Sequence, residues 1–242
     1  MPLRDLLNDQ RIFDIVTIGH FAIDLIISPR IVTPMPTLGG PPTYVSVSAR
    51  KLGSKVSVIS KVGNDFPSQY ARWLRRNRVD LSGLKRVENA STTSFALTYE
   101  EAKRRLQLRS RAPPITAEDI PSGLKSKAIH LAPIAGELSY ETVKEARNMT
   151  DVLSLDPQGF VREFDEEGNV SPKKMDDIRI LREVDILKSS IDEILLAANI
   201  SNLQAAIRQL RKYGIKIIIV TRGTRGSLLF HCLLYTSPSP RD

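Results

Sequence analysis

The sequence predicts an α/β domain built on a mainly parallel sheet covered by helices on both faces. Three observations carry this. Residues 12–18 form a nearly continuous apolar run with the texture of a strand buried on both faces, and further strand-like segments stand at 55–60, 128–132, 152–156, 184–188 and 216–220. Helical patterns alternate with most of them, as parallel crossovers require. One stretch differs: residues 92–99 and 105–111 alternate apolar with polar side chains, which predicts an antiparallel hairpin with one solvated face.

In chain order, the first strand runs over 12–18 and ends at Gly19. A second, at 22–27, carries one acid, Asp24, in its middle. Pro29, Pro34 and Pro36 mark an irregular or edge segment. Gly39-Gly40 then opens a helix that ends at Leu52-Gly53, with Pro41 and Pro42 suited to a first turn where missing donors cost nothing. Small residues at Ser46, Ser48 and Ala49 would let this helix approach a sheet closely. Without Cβ atoms the glycine pair lets backbone come near a ligand, and the helix N-terminus adds unpaired N–H groups. An ordinary strand–turn–helix connection explains the pair equally. Strand 55–60 leads through the turn Val62-Gly63-Asn64-Asp65 to a helix over 67–77.

Pro113-Pro114 closes the hairpin. Strand 128–132 precedes a helix over 140–148 with Ser139 as its cap. Strand 152–156 ends at Asp156-Pro157-Gln158-Gly159, and residues 163–174 read as a polar surface loop. Strand 184–188 is followed by helices over 191–198 and 202–213, the latter stopped by Gly214. After the last buried strand stands Thr221-Arg-Gly-Thr-Arg-Gly226-Ser227, either a tight turn or a loop offering N–H groups to phosphate. In such folds ligands sit at the carboxyl ends of strands. Gly39-Gly40, Asp156, the segment 188–193 and Thr221 onward all fall there.

Composition excludes several classes. The 242 residues suit one domain, and no apolar run approaches the ~20 residues of a membrane-spanning helix, so no membrane partner is expected. The N-terminus lacks a signal peptide's apolar stretch, and the single cysteine, Cys232, allows no intrachain disulfide, so the expected location is cytoplasmic. The net charge of +8 gathers at Arg72, Arg75, Arg76 and Arg78 and at Lys103, Arg104, Arg105, Arg109 and Arg111. No helix-turn-helix, zinc-ligand spacing or aromatic RNA-binding strand accompanies it, so solvated faces are expected rather than a nucleic-acid partner. His20 and His130 have no ligand-spaced partners and are expected to be structural.

In combination the order of elements resembles the ribokinase-like, or PfkB, family of carbohydrate and nucleoside kinases. The matching residues are Gly19 with Asp24, Gly39-Gly40 through Leu52-Gly53, Val62-Gly63-Asn64-Asp65, the segment 185–193, and Thr221-x-Gly223-x-x-Gly226. The resemblance spans 12 to about 230. It implies a small β lid formed by residues 26–38 and 92–111, ATP and Mg²⁺ as cofactors, a sugar, polyol or nucleoside as substrate, and a homodimer through the lid as a candidate assembly. Asp24, Gly39, Gly40 and Tyr44 would hold the substrate. Lys188, Ser190, Thr221, Gly223 and Gly226 would line the nucleotide, and Glu193 would organise the water around Mg²⁺. Asp24 could equally be an edge-strand acid, and Glu193 a helix N-terminal acid favoured by the dipole.

Several positions depart from the family pattern. Ser190 replaces the asparagine of Asn-x-x-Glu, and Tyr44 stands where ribokinases proper carry asparagine; it could stack on a ring or simply pack. The acid that often follows the strand at Ile129 is replaced by Leu131-Ala-Pro-Ile134, Glu137 nearby being no motif match. No Gly-Ala-Gly-Asp segment, which supplies the family's general base and anion hole, occurs in the chain. Residues 231–242, with two Ser-Pro pairs, read as a non-native tail on a chain cut short of that segment. The expectation is therefore a kinase in the intact protein and an inactive fragment here. A non-catalytic regulatory relative that binds a sugar or nucleotide is the alternative.

Overall fold

β-Branched runs settle where both faces of a strand can be covered. The computed structural model describes residues 12–29, 33–100, 103–231 and 234–237. Its central sheet has the order β15-β14-β13-β12-β9-β8-β1-β4-β5. The strands are β1 (Ile12–Ile18), β4 (Val56–Val62), β5 (Asp80–Arg86), β8 (Lys125–Leu131), β9 (Thr150–Leu155), β12 (Ile186–Ser190), β13 (Ile217–Thr221), β14 (Ser227–Phe230) and β15 (Leu234–Ser237). From β5 to β13 every pairing is parallel; β14 and β15 add antiparallel strands. Six helices are described: α1 (Pro41–Lys51), α2 (Ser68–Arg76), α3 (Tyr140–Asn148), α4 (Arg179–Arg182), α5 (Ile191–Ala198) and α6 (Leu203–Lys212). α1, α2, α3 and α5 pack directly on sheet strands. None is long and apolar enough to cross a membrane.

Local chemistry sets the helix ends. Ser139 caps α3 by accepting from Thr142 N at 3.3 Å, as its position foretold. Asn202 caps α6, and Asn199 closes α5 in the left-handed conformation that asparagine tolerates. Fully buried Val16, Ile18, Ile129, Leu131, Leu153, Leu155 and Leu187 fill the sheet's core. A second cluster joins Val58 and Val62 to Phe66 and Leu74 of the α2 region.

A separate four-stranded sheet, β3-β2-β6-β7, stands where the lid is expected. It comprises β2 (Ala22–Ile27), β3 (Pro36–Gly39), β6 (Thr93–Glu100) and β7 (Lys103–Ser110). The whole second strand belongs to this sheet, which therefore reaches beyond residues 26–38 and 92–111. Asp24 stands opposite Thr37 on one side and Phe95 on the other.

One reading of the sequence needs correction, and one strand carries no pattern that would have predicted it. Residues 163–174 are not a loop: β10 (Arg162–Phe164) and β11 (Val170–Pro172) form a hairpin, its turn made by Asp165, which accepts from Asn169 N at 2.7 Å. β5 carries no apolar run because Gly83 interrupts it; a Cβ there would lie 2.7 Å from Val58 O, so close strand approach took precedence over β propensity. β13 has a neighbour on each side, β12 and β14, and β15 pairs along β14. β15 thus places residues 234–237 in the sheet. Cys232 and residues 238–242 lie outside the described residues, as do the side chains of Lys103 and Arg104.

Candidate active site

The chain leaves β1 through Gly19, where a Cβ would meet Ala132 O at 2.3 Å, and enters the lid through His20 and Phe21. Gly40, at φ 82°, packs on that corner, a Cβ there lying 2.4 Å from His20 O. Gly39 pairs with Ala22, diagonal to Asp24 in the β2–β3 pair, and its missing Cβ leaves room for the Asp24 carboxylate. Thr43 binds the turn through Oγ1 to Gly39 O at 2.7 Å and N to Gly40 O at 3.0 Å. Pro41 and Pro42 fill the first turn of α1 as expected. Ser46 and Ala49 are buried against the sheet, while Ser48 turns outward; the i, i+3 spacing selects the buried pair. Tyr44 is 62% exposed at the rim.

Between lid and sheet lies a cleft of about 960 Å³. Asp24, Phe95 and Tyr99 of the small sheet and Tyr44 of α1 line it on one side, and His130, Asp156, Arg162 and Lys188 on the other. Lys188 Nζ donates to Asp156 Oδ2 at 2.8 Å, so this lysine faces the cleft that holds Asp24 rather than the one that holds Glu193. His130 shares a hydrogen bond with Ser154 Oγ at 3.0 Å. Burial pushes its pKa down to about 4, against the pull of Asp156. The structural role expected of His130 is therefore incomplete, because it also lines the cleft.

A second cleft, of about 1050 Å³, is lined by Ser190, Asp192 and Glu193 at the start of α5, by Arg162 and Asn169 of the hairpin, and by Arg105 of the lid. Ser190 and Glu193 form a reciprocal capping box. Glu193 Oε2 accepts from Ser190 N at 3.0 Å, Ser190 Oγ at 2.8 Å and Ser189 Oγ at 3.0 Å. Burial alone would raise the Glu193 pKa, but these bonds and the Arg162 charge outweigh it and the net shift is downward. Thr221 is in register with Ser190 and Ser227 across three strands and donates from Oγ1 to Ser189 O at 3.3 Å. Gly223 (φ 60°) and Gly226 (φ 76°) make the tight turn beyond it, closed by Arg222 N to Gly226 O at 2.9 Å. This turn sits beside Ser190 without lining either cleft.

Among the described residues no three His, Cys, Asp or Glu side chains converge on a metal position. Asp192 and Glu193 instead fit the pattern in which one or two carboxylates and water hold Mg²⁺ against nucleotide phosphates. Two buried polar residues are structural. His20 bonds Pro113 O at 3.1 Å and Thr93 Oγ1 at 2.8 Å. Glu137, 1% exposed, accepts from the N–H groups of His20, Ile134 and Ala135.

Arg162, which touches both clefts, was missed by reading the sequence. The signal was its place just beyond Asp156-Pro157-Gln158-Gly159, at a strand's carboxyl end where ligands collect.

A family model described as pfkB family carbohydrate kinase matches residues 13–239. The chain is 28% identical over 227 residues to a cytidine kinase of Thermococcus kodakarensis, spanning 90% of this chain and 76% of that protein. It is 25% identical over 228 residues to an inositol 3-kinase of Arabidopsis thaliana, 58% of whose length it covers. Its fold superimposes with a TM-score of 0.80 on a pyrophosphate-dependent kinase of the ribokinase family, solved with a pyrophosphate analog and myo-inositol. That match has 25% identity and covers 93% of this chain and 78% of the other.

Proposed function

The chain belongs to the pfkB family of carbohydrate kinases, and we propose that the intact protein transfers the γ-phosphoryl group of ATP to a hydroxyl of a sugar, polyol or nucleoside. The observation that carries this is the position of Arg162, which lines both the cleft holding Asp24 and the cleft holding Glu193. An acceptor hydroxyl held by Asp24 and a donor phosphate beside Glu193 would meet at that guanidinium. The cytidine and inositol kinases among its relatives support both nucleoside and polyol acceptors.

Asp24 accepts hydrogen bonds from substrate hydroxyls, and Gly39 and Gly40 leave the space beside it open. Phe95, Tyr99 and Tyr44 offer apolar faces to a ring. Arg162 stabilises charge on the phosphoryl group in transit. Mg²⁺, when bound with the nucleotide beside Asp192 and Glu193, neutralises phosphate charge. Thr221, in register with Ser190 of the donor cleft, and Gly223 and Gly226 beyond it are assigned to the nucleotide side. We assign the general base to a segment outside these 242 residues, since no Gly-Ala-Gly-Asp occurs in them, so this chain binds ligands without turnover. A homodimer through the lid and a cytoplasmic location complete the proposal; Met35 and Tyr99 are exposed in the lid region.

Calorimetric titration with cytidine, myo-inositol, fructose and ATP tests the reading. Binding of one acceptor class that is lost in Asp24→Asn supports it, and failure to bind any of them overturns it. The same missing base favours the regulatory alternative, which predicts binding but no turnover even when the chain is joined to its genomic continuation. Turnover by that extended protein decides for the enzyme.

A further inference from the structure

We propose that Arg105, on the lid strand β7, binds the polyphosphate of the phosphoryl donor, so that the lid serves the donor as well as the acceptor. This rests on the donor assignment of the Glu193 cleft above. Arg105 lines that cleft together with Arg162, Ser190, Asp192 and Glu193. It is exposed, and among the described residues its guanidinium forms no hydrogen bond or ion pair. Two carboxylates in one cleft repel a polyphosphate, and guanidinium groups are the side chains that bind one through paired N–H donors.

The position of Arg105 is fixed from outside the lid. Leu108 N donates to Gly168 O at 2.8 Å, and Gln107 Nε2 to Glu167 O at 2.7 Å. Gly168, at φ 80°, admits this approach only because it lacks a Cβ, which would lie 2.0 Å from Leu108 O. Phe95 and Arg111 pack on Phe164, with centroid distances of 6.4 and 4.9 Å. The hairpin that clasps β7 in this way begins at Arg162. One clasp therefore holds both arginines at the same cleft.

Titration of the 242-residue chain with Mg²⁺-ATP and, separately, with Mg²⁺-pyrophosphate tests the assignment. Arg105→Ala is expected to weaken both by about tenfold or more, the scale of one charge-assisted hydrogen bond, and to leave acceptor affinity unchanged. Arg105→Lys should fall between, and Arg72→Ala, which removes the same charge from α2, should match the wild type. Gly168→Val should reproduce the loss with Arg105 still present, while hydrogen exchange shows the Leu108 amide released. Unchanged affinity for both donors in Arg105→Ala overturns the proposal. A loss for ATP alone also overturns it, since the side chain would then read the nucleoside. A wild-type chain that binds acceptor but neither donor overturns the donor assignment of the cleft itself.

Discussion

The Asp24 carboxylate occupies the space that a side chain at Gly39 would need: a Cβ on Gly39 would lie 1.9 Å from Oδ2 and 2.4 Å from Cγ. The acid and the glycine are thus one feature, held in place by the β2–β3 pairing. Gly39→Ala is expected to displace the carboxylate and to cost about 1–3 kcal/mol, as overpacking does. Calorimetry should show weaker acceptor binding although Asp24 is intact. Unaltered affinity would separate the two residues.

Asp24→Asn keeps the shape and removes the charge. Acceptor affinity is expected to fall by about tenfold or more, the scale of a hydrogen bond to a charged group, with little change in melting temperature. A variant that unfolds while binding acceptor normally would make Asp24 a structural acid.

Glu193 links stability to acid. Its pKa in the folded chain lies below the ordinary 4.5. Its stabilising contribution is therefore present above pH 4.5 and lost as pH falls through the lower, folded value. Glu193→Gln should weaken the α5 cap by about 1 kcal/mol at neutral pH, lowering Tm by roughly 2–4 °C, and remove part of the acid sensitivity below pH 4.5. Melting curves across pH 3–7 check this, and an unchanged acid limb would rule it out.

His130 acts in a different window. Burial holds its folded pKa near 4 against an ordinary 6.5, and burial also lowers that of His20. The unfolded chain takes up these protons first, so stability is full above pH 6.5 and declines as pH falls toward about 4. His130→Gln should flatten that decline without abolishing it, His20 remaining. Chemical denaturation at pH 4.5, 5.5 and 7 measures the slope, and an identical slope in the variant would sink the idea.

Covering β13 predicts a folding phenotype. Ile217, Ile218 and Ile219 would form a sticky edge if β14 and β15 were absent. Deleting residues 227–242 should give a chain that self-associates on size-exclusion chromatography, whereas the 242-residue chain should elute as a defined species. A monodisperse deletion variant would show that β14 and β15 do not protect the strand.

The central strands were legible because a strand buried on both faces must be largely apolar, as 128–132 is. Ser139 and the Pro41-Pro42 start of α1 were legible because caps and first turns are decided by neighbouring atoms. Gly39, Gly40 and Asp24 were readable as candidates from residue type and position. β5 and the β10–β11 hairpin were not, since Gly83 and the polar stretch 163–174 form strands only where a neighbouring strand supplies the partner.

The sequence alone therefore determined the α/β class, the order of most of its elements, and a set of candidate residues of the types that bind hydroxyls or phosphate. Only the tertiary structure decided which of them share a cleft. Lys188 pairs with Asp156 on the Asp24 side, Arg162 reaches both clefts, and Arg105 arrives from the lid. These meetings join residues distant in the chain, such as Lys188 and Asp156 or Arg105 and Glu193. They depend on strand order and on contacts such as Gly168 with Leu108, which no local pattern encodes.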